Sequence, residues 1–249
     1  MRQLFRPKPK SFLDAARREW QFEAFAWLLR GCGGLPRFLD TALVLPTPGH
    51  FPEQGMKGHA AAAALFRLVR DHAGMADWPC IVEPEHTAAP PATGERIRVI
   101  HYPPALQQPE LLVAHFAHEL ARFLVESLHE PPPGGAELYE PAVDLATTFM
   151  GFGVFMANSA ALSSSHCSAH PVRWDLNECE LVHALALFCQ LRKLPPEAAE
   201  PHLNAHVRKY LRLAMRDLTQ FERDFQKLRS VFPVMPIDAS ECTMPTRHG

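Results

Sequence analysis

Residues 115–124, HFAHELARFL, contain the residue types of a metal-dependent hydrolase. His118 and Glu119 match the first half of the zinc motif H-E-x-x-H. In that motif two imidazoles one helical turn apart hold one metal, and the glutamate takes a proton from the metal-bound water. Where the second histidine would stand, the chain has Arg122. The segment therefore indicates metal-assisted hydrolysis with one expected ligand replaced.

A second acidic segment, EPAVD, follows after a turn and supplies Glu140 and Asp144. Two helices joined by the short segment PPPGG are expected to run antiparallel. Glu140 then lies near position 122, and Asp144 lies one turn deeper, nearer His118. Glu140 can serve as the third protein ligand of a zinc ion. Asp144 can accept the free N–H of His118 and fix its tautomer.

The pattern HELAR…EPAVD resembles the gluzincin zinc peptidases, in which H-E-x-x-H is followed after a turn by E-x-x-x-D. The flanking segments LVAHFAHELARFLV, HAGMADWPC and DLATTFMGFGVFMANSA look like a bacterial family of intracellular, gluzincin-like proteins, over nearly the whole chain. The resemblance implies that His118 is a metal ligand and Glu119 the general base. It also implies that Glu140 is the third ligand and that Asp144 orients His118. Arg122 is the departure from the pattern.

Arg122 cannot replace a histidine ligand, because a guanidinium has no lone pair to offer and does not deprotonate in proteins. Its charge also repels a cation, by roughly 4 kcal/mol per unit charge at about 4 Å and an effective dielectric of about 20.

Three arrangements of Arg122 are compatible with the sequence. In the first, Arg122 occupies the place of the metal and holds Glu140 or Glu119. In the second, Arg122 turns outward and His115 joins His118 beside Asp144. In the third, no metal was ever bound, and Glu119–Arg122 is a solvated ion pair.

The elements that must position these residues are mainly helical. Apolar periodicity predicts helices, and two β-branched segments predict short strands. The predicted helices are 11–30, 57–72, 111–128, 140–161, 176–194 and 204–228. One predicted strand begins at Cys80, and the other spans 96–102. Ser11 and Asp175 are the expected caps of the first and fifth helices. The fold class is mainly α (α+β), with a small β element before an antiparallel helix pair over 110–129 and 140–161.

The sequence predicts one domain over residues 1–249. Residues 1–105 hold the N-terminal helices and the β element, 106–235 form the helical part that bears the site, and 236–249 form a loose tail. The 24 prolines cluster between these elements. Cys179 and Cys189 are expected to be buried thiols. The HCSAH segment, 166–170, is expected to be a surface loop without a metal.

Net charge and hydropathy restrict the classes of partner and the location that are expected. The formal net charge is −2 and no Lys/Arg cluster occurs, so a nucleic-acid partner is not expected. No stretch approaches about eighteen uninterrupted apolar residues, so no membrane span is expected. With no apolar run after the basic N-terminus, the expected location is the cytoplasm. The sequence does not indicate which oligomeric state the protein adopts.

Two functions are compatible with these residues. In the first, the chain is a gluzincin-like metallopeptidase with a degenerate site and weak or absent zinc-dependent peptide hydrolysis, in which Glu119 activates metal-bound water. Strand 96–102 would then pair with an extended peptide. In the alternative, the chain is a non-catalytic binding or scaffold protein. It keeps the cleft and uses Arg122 to hold an anionic group or a peptide.

Overall fold

The computed structural model describes residues 11–52, 55–85, 97–101, 107–163 and 173–233. This part of the chain is mainly helical, with one small two-stranded sheet. The predicted class, mainly α with a small β element, is confirmed at this level. The HCSAH segment and the tail 236–249 lie outside the described residues.

The predicted helices occur in the predicted order, and several are shorter than predicted; helix α2 (Gly34–Asp40) was not predicted. The helices are α1 (Ala15–Gly31), α2 (Gly34–Asp40), α3 (Gly58–His72), α4 (Pro109–Ser127), α5 (Tyr139–Thr147), α6 (Gly153–Ser163), α7 (Glu178–Leu191), α8 (Ala205–Leu218) and α9 (Glu222–Arg229). Short 3-10 turns connect some of them, at Gly135–Leu138, Pro196–Ala198, Glu200–His202 and Thr219–Phe221. No helix in the described ranges is both long enough and apolar enough to cross a membrane.

Strands β1 (Cys80–Pro84) and β2 (Ile97–His101) pair in parallel, with Cys80 opposite Ile97 and Pro84 opposite His101. A parallel pair cannot be closed by a two-residue turn, in keeping with the long segment that separates the strands in the sequence. Val99 and His101 are buried and lie on the same face of β2, because side chains alternate along a strand.

The predicted cap of the first helix, Ser11, is wrong. Helix α1 begins after Asp14, whose carboxylate accepts from the backbone N–H of Arg17. Ser11 instead donates its hydroxyl to the carboxylate of Asp217 on α8. Both side chains carry an oxygen that can accept from the first turn of a helix, and the distant partner of Ser11 leaves Asp14 as the cap.

Helix α7 begins later than predicted. Its cap is Asn177, which forms a capping box with Glu180: the Asn177 side chain accepts from the Glu180 N–H, and Glu180 accepts from the Asn177 N–H. Asp175 is not the cap. The backbone N–H groups of Asp175 and Leu176 donate to Asp144, which holds the chain outside the helix at these residues.

Two predicted continuous helices are interrupted. Helix 204–228 breaks at the 3-10 turn Thr219–Phe221. Helix 140–161 breaks at the π turn Thr148–Phe152, where Gly151 has φ 99°. A Cβ on Gly151 would lie 2.1 Å from the carbonyl oxygen of Ala42, and the Gly151 carbonyl accepts from the Val44 N–H. The segment that contains Ala42 and Val44 therefore packs directly on the backbone of this turn. Only glycine permits so close an approach at this φ angle.

An aromatic core joins the first helices to the later ones. Phe38 of α2 lies 4.8 Å from Phe149 and 5.3 Å from Phe188 of α7, between ring centroids, and Phe25 of α1 lies 5.7 Å from Phe149. A separate aromatic pair of the core joins α3 to α4, where Phe66 contacts Phe116 edge to face. Helix α4 is therefore held on a packed base, and its remaining face carries the polar residues of the candidate site.

Candidate functional site

Helices α4 and α5 carry the predicted site and run antiparallel. Position 122 contacts position 140, and position 118 contacts position 144, so residue numbers fall along one helix as they rise along the other. The loop between them is fixed by α1: the indole N–H of Trp27 donates to the Glu130 carbonyl, and that of Trp20 donates to the Pro133 carbonyl. The loop is thus anchored to α1 by two hydrogen bonds that lie outside the site.

Arg122 lies against Glu140 in a two-point contact. Its Nη1 donates to Oε1 at 2.7 Å and its Nη2 to Oε2 at 2.8 Å. The side chains are 27% and 43% exposed, so the pair is partly open to solvent. These bonds hold the pKa of Glu140 below its ordinary range and raise that of Arg122. Both groups stay charged across the physiological range.

His118 faces deeper into the protein. Its Nε2 lies 3.1 Å from Oδ1 of Asp144, which is fully buried. Oδ1 has no hydrogen bond of good geometry within the described chain, so the contact is chiefly an attraction of opposite charges. The His118 ring also lies 5.0 Å from the ring of Trp174.

Asp144 connects three elements. Its Oδ2 accepts from the backbone N–H groups of Asp175 and Leu176, at 2.7 and 2.8 Å. A buried carboxylate is stable only when charges and donors surround it, and here the donors are the two amides that precede α7. Asp144 therefore ties α5 to α4 through His118 and to the start of α7 through its backbone.

The charges around His118 favour its protonated form. Burial opposes the charge, but the contacts with Asp144 and Glu119 outweigh burial and raise the pKa of His118 to about 9. Glu119 lies 3.7 Å from Nδ1 of His118. Burial would raise the pKa of Glu119, but the neighbouring cationic groups hold it below the ordinary range. The site at neutral pH thus contains two cations, His118 and Arg122, beside the ionised carboxylates of Glu119 and Glu140.

His115 forms its hydrogen bond with a strand rather than with the other predicted residues. Its Nε2 is 2.8 Å from the carbonyl oxygen of Ile100 on β2, so this nitrogen carries the proton and donates. Burial lowers the pKa of His115, which favours a neutral ring. The structure therefore brings His118 together with Asp144 and Arg122 together with Glu140. It places the His115 ring against strand β2.

The residues do not fit a zinc site as they stand. Zinc needs three lone-pair donors around one point, whereas the Glu140 oxygens lie on a guanidinium and His118 Nε2 faces Asp144. Within the described ranges, no group of three His, Cys, Asp or Glu side chains is arranged to hold a metal ion. A metal would have to displace Arg122 and take a proton from His118.

Sequence reasoning missed Trp174 and the backbone of 175–176 as parts of this network. The segment RWDLNECE, 173–180, does contain a signal. It places Asn177 three residues before Glu180, the spacing of a capping box, which leaves the preceding amides free to bind another acceptor. The comparisons with known proteins give no further assignment: no protein family, curated protein or solved structure matches this chain.

Proposed function

We propose that the chain is a gluzincin-like protein in which an arginine–carboxylate pair has replaced the metal, so that zinc-dependent peptide hydrolysis is weak or absent. Support for the lineage comes from the order of His118, Glu119, Glu140 and Asp144 and from their pairing across antiparallel helices. On this proposal the old site is retained as a structural connection between α4, α5 and α7.

The observation that carries the proposal is the two-point contact between Arg122 and Glu140. Arg122 stands at the position of the second histidine, and Glu140 at that of the third ligand. The guanidinium binds both carboxylate oxygens and supplies the positive charge that a cation would otherwise supply. A metal entering this place would leave a partly buried arginine without its partner, and two like charges would face each other.

The alternative, that Arg122 holds an anionic group or a peptide, has less support from the geometry. Both terminal nitrogens of Arg122 already donate to Glu140. An external anion would have to displace that carboxylate and then lie beside Glu119, whose pKa is held low. We therefore place the binding function second.

The proposal is tested by zinc uptake in three forms of the untagged protein: wild type, Arg122→His and Arg122→Gln. Each form is equilibrated with zinc, desalted and subjected to elemental analysis. Arg122→His restores the missing imidazole at i+4 from His118. Arg122→Gln is the matched control, because it removes the charge without supplying a zinc ligand.

We expect wild type and Arg122→Gln to retain almost no zinc and Arg122→His to retain a near-stoichiometric amount. Stoichiometric zinc in the wild type would overturn the view that the arginine replaces the metal. Equal zinc in Arg122→His and Arg122→Gln would overturn the gluzincin lineage itself.

A further inference from the structure

A groove outside the candidate site lies between the C-terminal end of α7, the short turns that precede α8, and helix α8 itself. It consists of two adjoining hollows of about 340 and 390 Å³, which share Gln190, Pro196 and Met215 in their walls. Volumes of this size are typical of binding pockets. Leu194 and Pro195 add apolar surface to the first hollow.

The walls of the groove carry an excess of positive charge. Their charged side chains are Lys193, Arg212, Arg216, Arg229, Glu197 and Glu200. Arg212 pairs with Glu200 and also attracts Glu197, and Arg229 pairs with Glu222 of α9. Within the described residues, the side chains of Lys193 and Arg216 form no hydrogen bond or ion pair. The groove therefore retains two cations that no carboxylate neutralises.

Lys193 also has an uncommon backbone conformation. Its φ is 57°, and no other residue in the described ranges apart from glycines has a positive φ. It follows the end of α7, where glycine usually takes this conformation because other residues are strained in it. A lysine at this place stabilises the C-terminal end of the helix, so the conformation alone assigns no ligand. The second free cation, Arg216, is what makes the groove a site for an anionic group.

The described part of the chain ends close to this groove. Arg229 lines the first hollow, and four residues later Pro233 packs on Gly34, where a Cβ would lie 3.0 Å from the proline ring. Gly34 begins α2, whose Phe38 contacts Phe188 near the end of α7. Four residues span at most about 14 Å, so Pro233 lies within that distance of Arg229.

The residues that follow are complementary to the groove. Segment 234–241 reads VMPIDASE: an apolar run is followed by Asp238 and Glu241, with no basic residue. The apolar run suits the surface of Leu194 and Met215, and the carboxylates suit the two free cations.

The length of the segment is sufficient to reach the groove. Eight extended residues span about 27 Å, whereas the groove follows α8 for about 10 Å, from Arg212 to Thr219. Exposed ion pairs are individually weak. A segment tethered a few residues away has a high effective concentration, which favours it over a separate acidic peptide.

We propose that this groove is the docking site of the acidic segment 234–241 of the same chain, with Asp238 and Glu241 held by Lys193 and Arg216. The sequence alone predicts a loose tail from residue 236, and the two free cations beside the end of α9 are the reason for the departure. An acidic partner would have to displace the segment before it could use the groove. The contact involves no residue of the candidate site, so its test is independent of the proposed function.

Carbodiimide crosslinking of the intact chain tests the contact, because this reagent joins an amine directly to a carboxylate without a spacer. Lys193 should be linked to Asp238 or Glu241. Lys209 is the matched control, since it is an exposed lysine of α8 that does not line the groove. Both lysines share one tether to the segment, so a yield about tenfold higher at Lys193 reports docking rather than the tether.

The ion pair between Lys227 and Asp224, at 2.7 Å, shows whether the reagent has reacted. The proposal is overturned if that pair is linked and Lys193 is not joined to the segment, or if Lys209 is joined as often as Lys193. A mixture of ¹⁴N- and ¹⁵N-labelled protein distinguishes links within one chain from links between two. A Lys193 link that joins only different chains would make a second copy the occupant, and this too would overturn the proposal.

Proteolysis gives a second readout that does not depend on the amine of Lys193. A glutamate-specific protease cleaves after Glu241, and docking should slow this cleavage. Lys193→Gln with Arg216→Gln removes both free cations of the groove. The control, Lys209→Gln with Arg223→Gln, removes two exposed cations outside it.

We expect cleavage to be about fivefold faster in the groove variant, as the loss of two exposed ion pairs implies, and unchanged in the control. All four residues are exposed, so neither variant should disturb the fold. Equal cleavage rates in the two variants would overturn the proposal.

Discussion

Breaking the Arg122–Glu140 pair gives the sharpest measure of what now fills the predicted metal position. Arg122→Met and Glu140→Gln each remove one charge and keep most of the side-chain volume. The double variant removes both charges. The coupling energy of this double-mutant cycle isolates the pair from the other contacts of each residue.

The expected coupling follows from distance and exposure. Two unit charges about 4 Å apart attract by roughly 1 kcal/mol in water and by roughly 4 kcal/mol at an effective dielectric of about 20. The side chains are 27% and 43% exposed, so solvent screens much of this attraction. Exposed pairs contribute about 0.2–1 kcal/mol, and a two-point guanidinium–carboxylate contact is stronger than average. We expect a coupling of about 1–2 kcal/mol.

The assay is urea unfolding of the wild type, the two single variants and the double variant at low and high salt. The matched control is the pair Arg30–Glu130, in which two guanidinium nitrogens contact one carboxylate oxygen at 3.2 and 3.3 Å and the side chains are 39% and 49% exposed. Its coupling should be smaller and should fall more with salt. A coupling at 122–140 no larger than at 30–130 would refute the reasoning that this pair holds the site together.

Two further predictions concern the helices that carry the site. The pKa of His118 is raised to about 9 from the ordinary 6.5, so its stabilisation, on the order of 3 kcal/mol, is full below about pH 6.5 and is lost as pH rises through about 9. The difference in unfolding free energy between wild type and His118→Gln should shrink over that window, and a difference that grows there would contradict the assignment. Gly151→Ala should cost about 3 kcal/mol or more in thermal unfolding, because the new Cβ would lie 2.1 Å from the Ala42 carbonyl oxygen at φ 99°. Gly74→Ala, at φ 70° with nothing within 4 Å, should cost only about 1–2 kcal/mol, and equal costs would show that the close approach at Gly151 is not limiting.

The apolar periodicity of the chain was enough to predict the helical class and the two strands. Helix α3 was predicted within one residue at its start, and α4 within two. The continuous apolar pattern of 140–161 could not reveal the π turn. The break at Gly151 depends on the Val44 N–H and the Ala42 backbone, and a pattern along one segment contains no information about a second segment that crosses it.

Helix starts were less predictable than helix existence for the same reason. Ser11 and Asp175 have the residue types of caps, but the Ser11 hydroxyl donates to Asp217 and the backbone N–H of Asp175 donates to Asp144. Several polar residues before a helix can cap it. The choice among them follows from which ones have a better partner elsewhere in the fold.

For the candidate site, the sequence by itself determined which residues share the facing stripes of α4 and α5, because helical spacing is fixed by backbone geometry. It left the orientation of Arg122 open among three arrangements, in one of which His115 joins His118 beside Asp144. Only the tertiary structure decided these: the spacing of the two helices brings Glu140 to both guanidinium nitrogens, and β2 presents the Ile100 carbonyl to His115. A side chain with several free torsions takes its direction from the partners that packing brings within reach, and those partners are far away in the sequence.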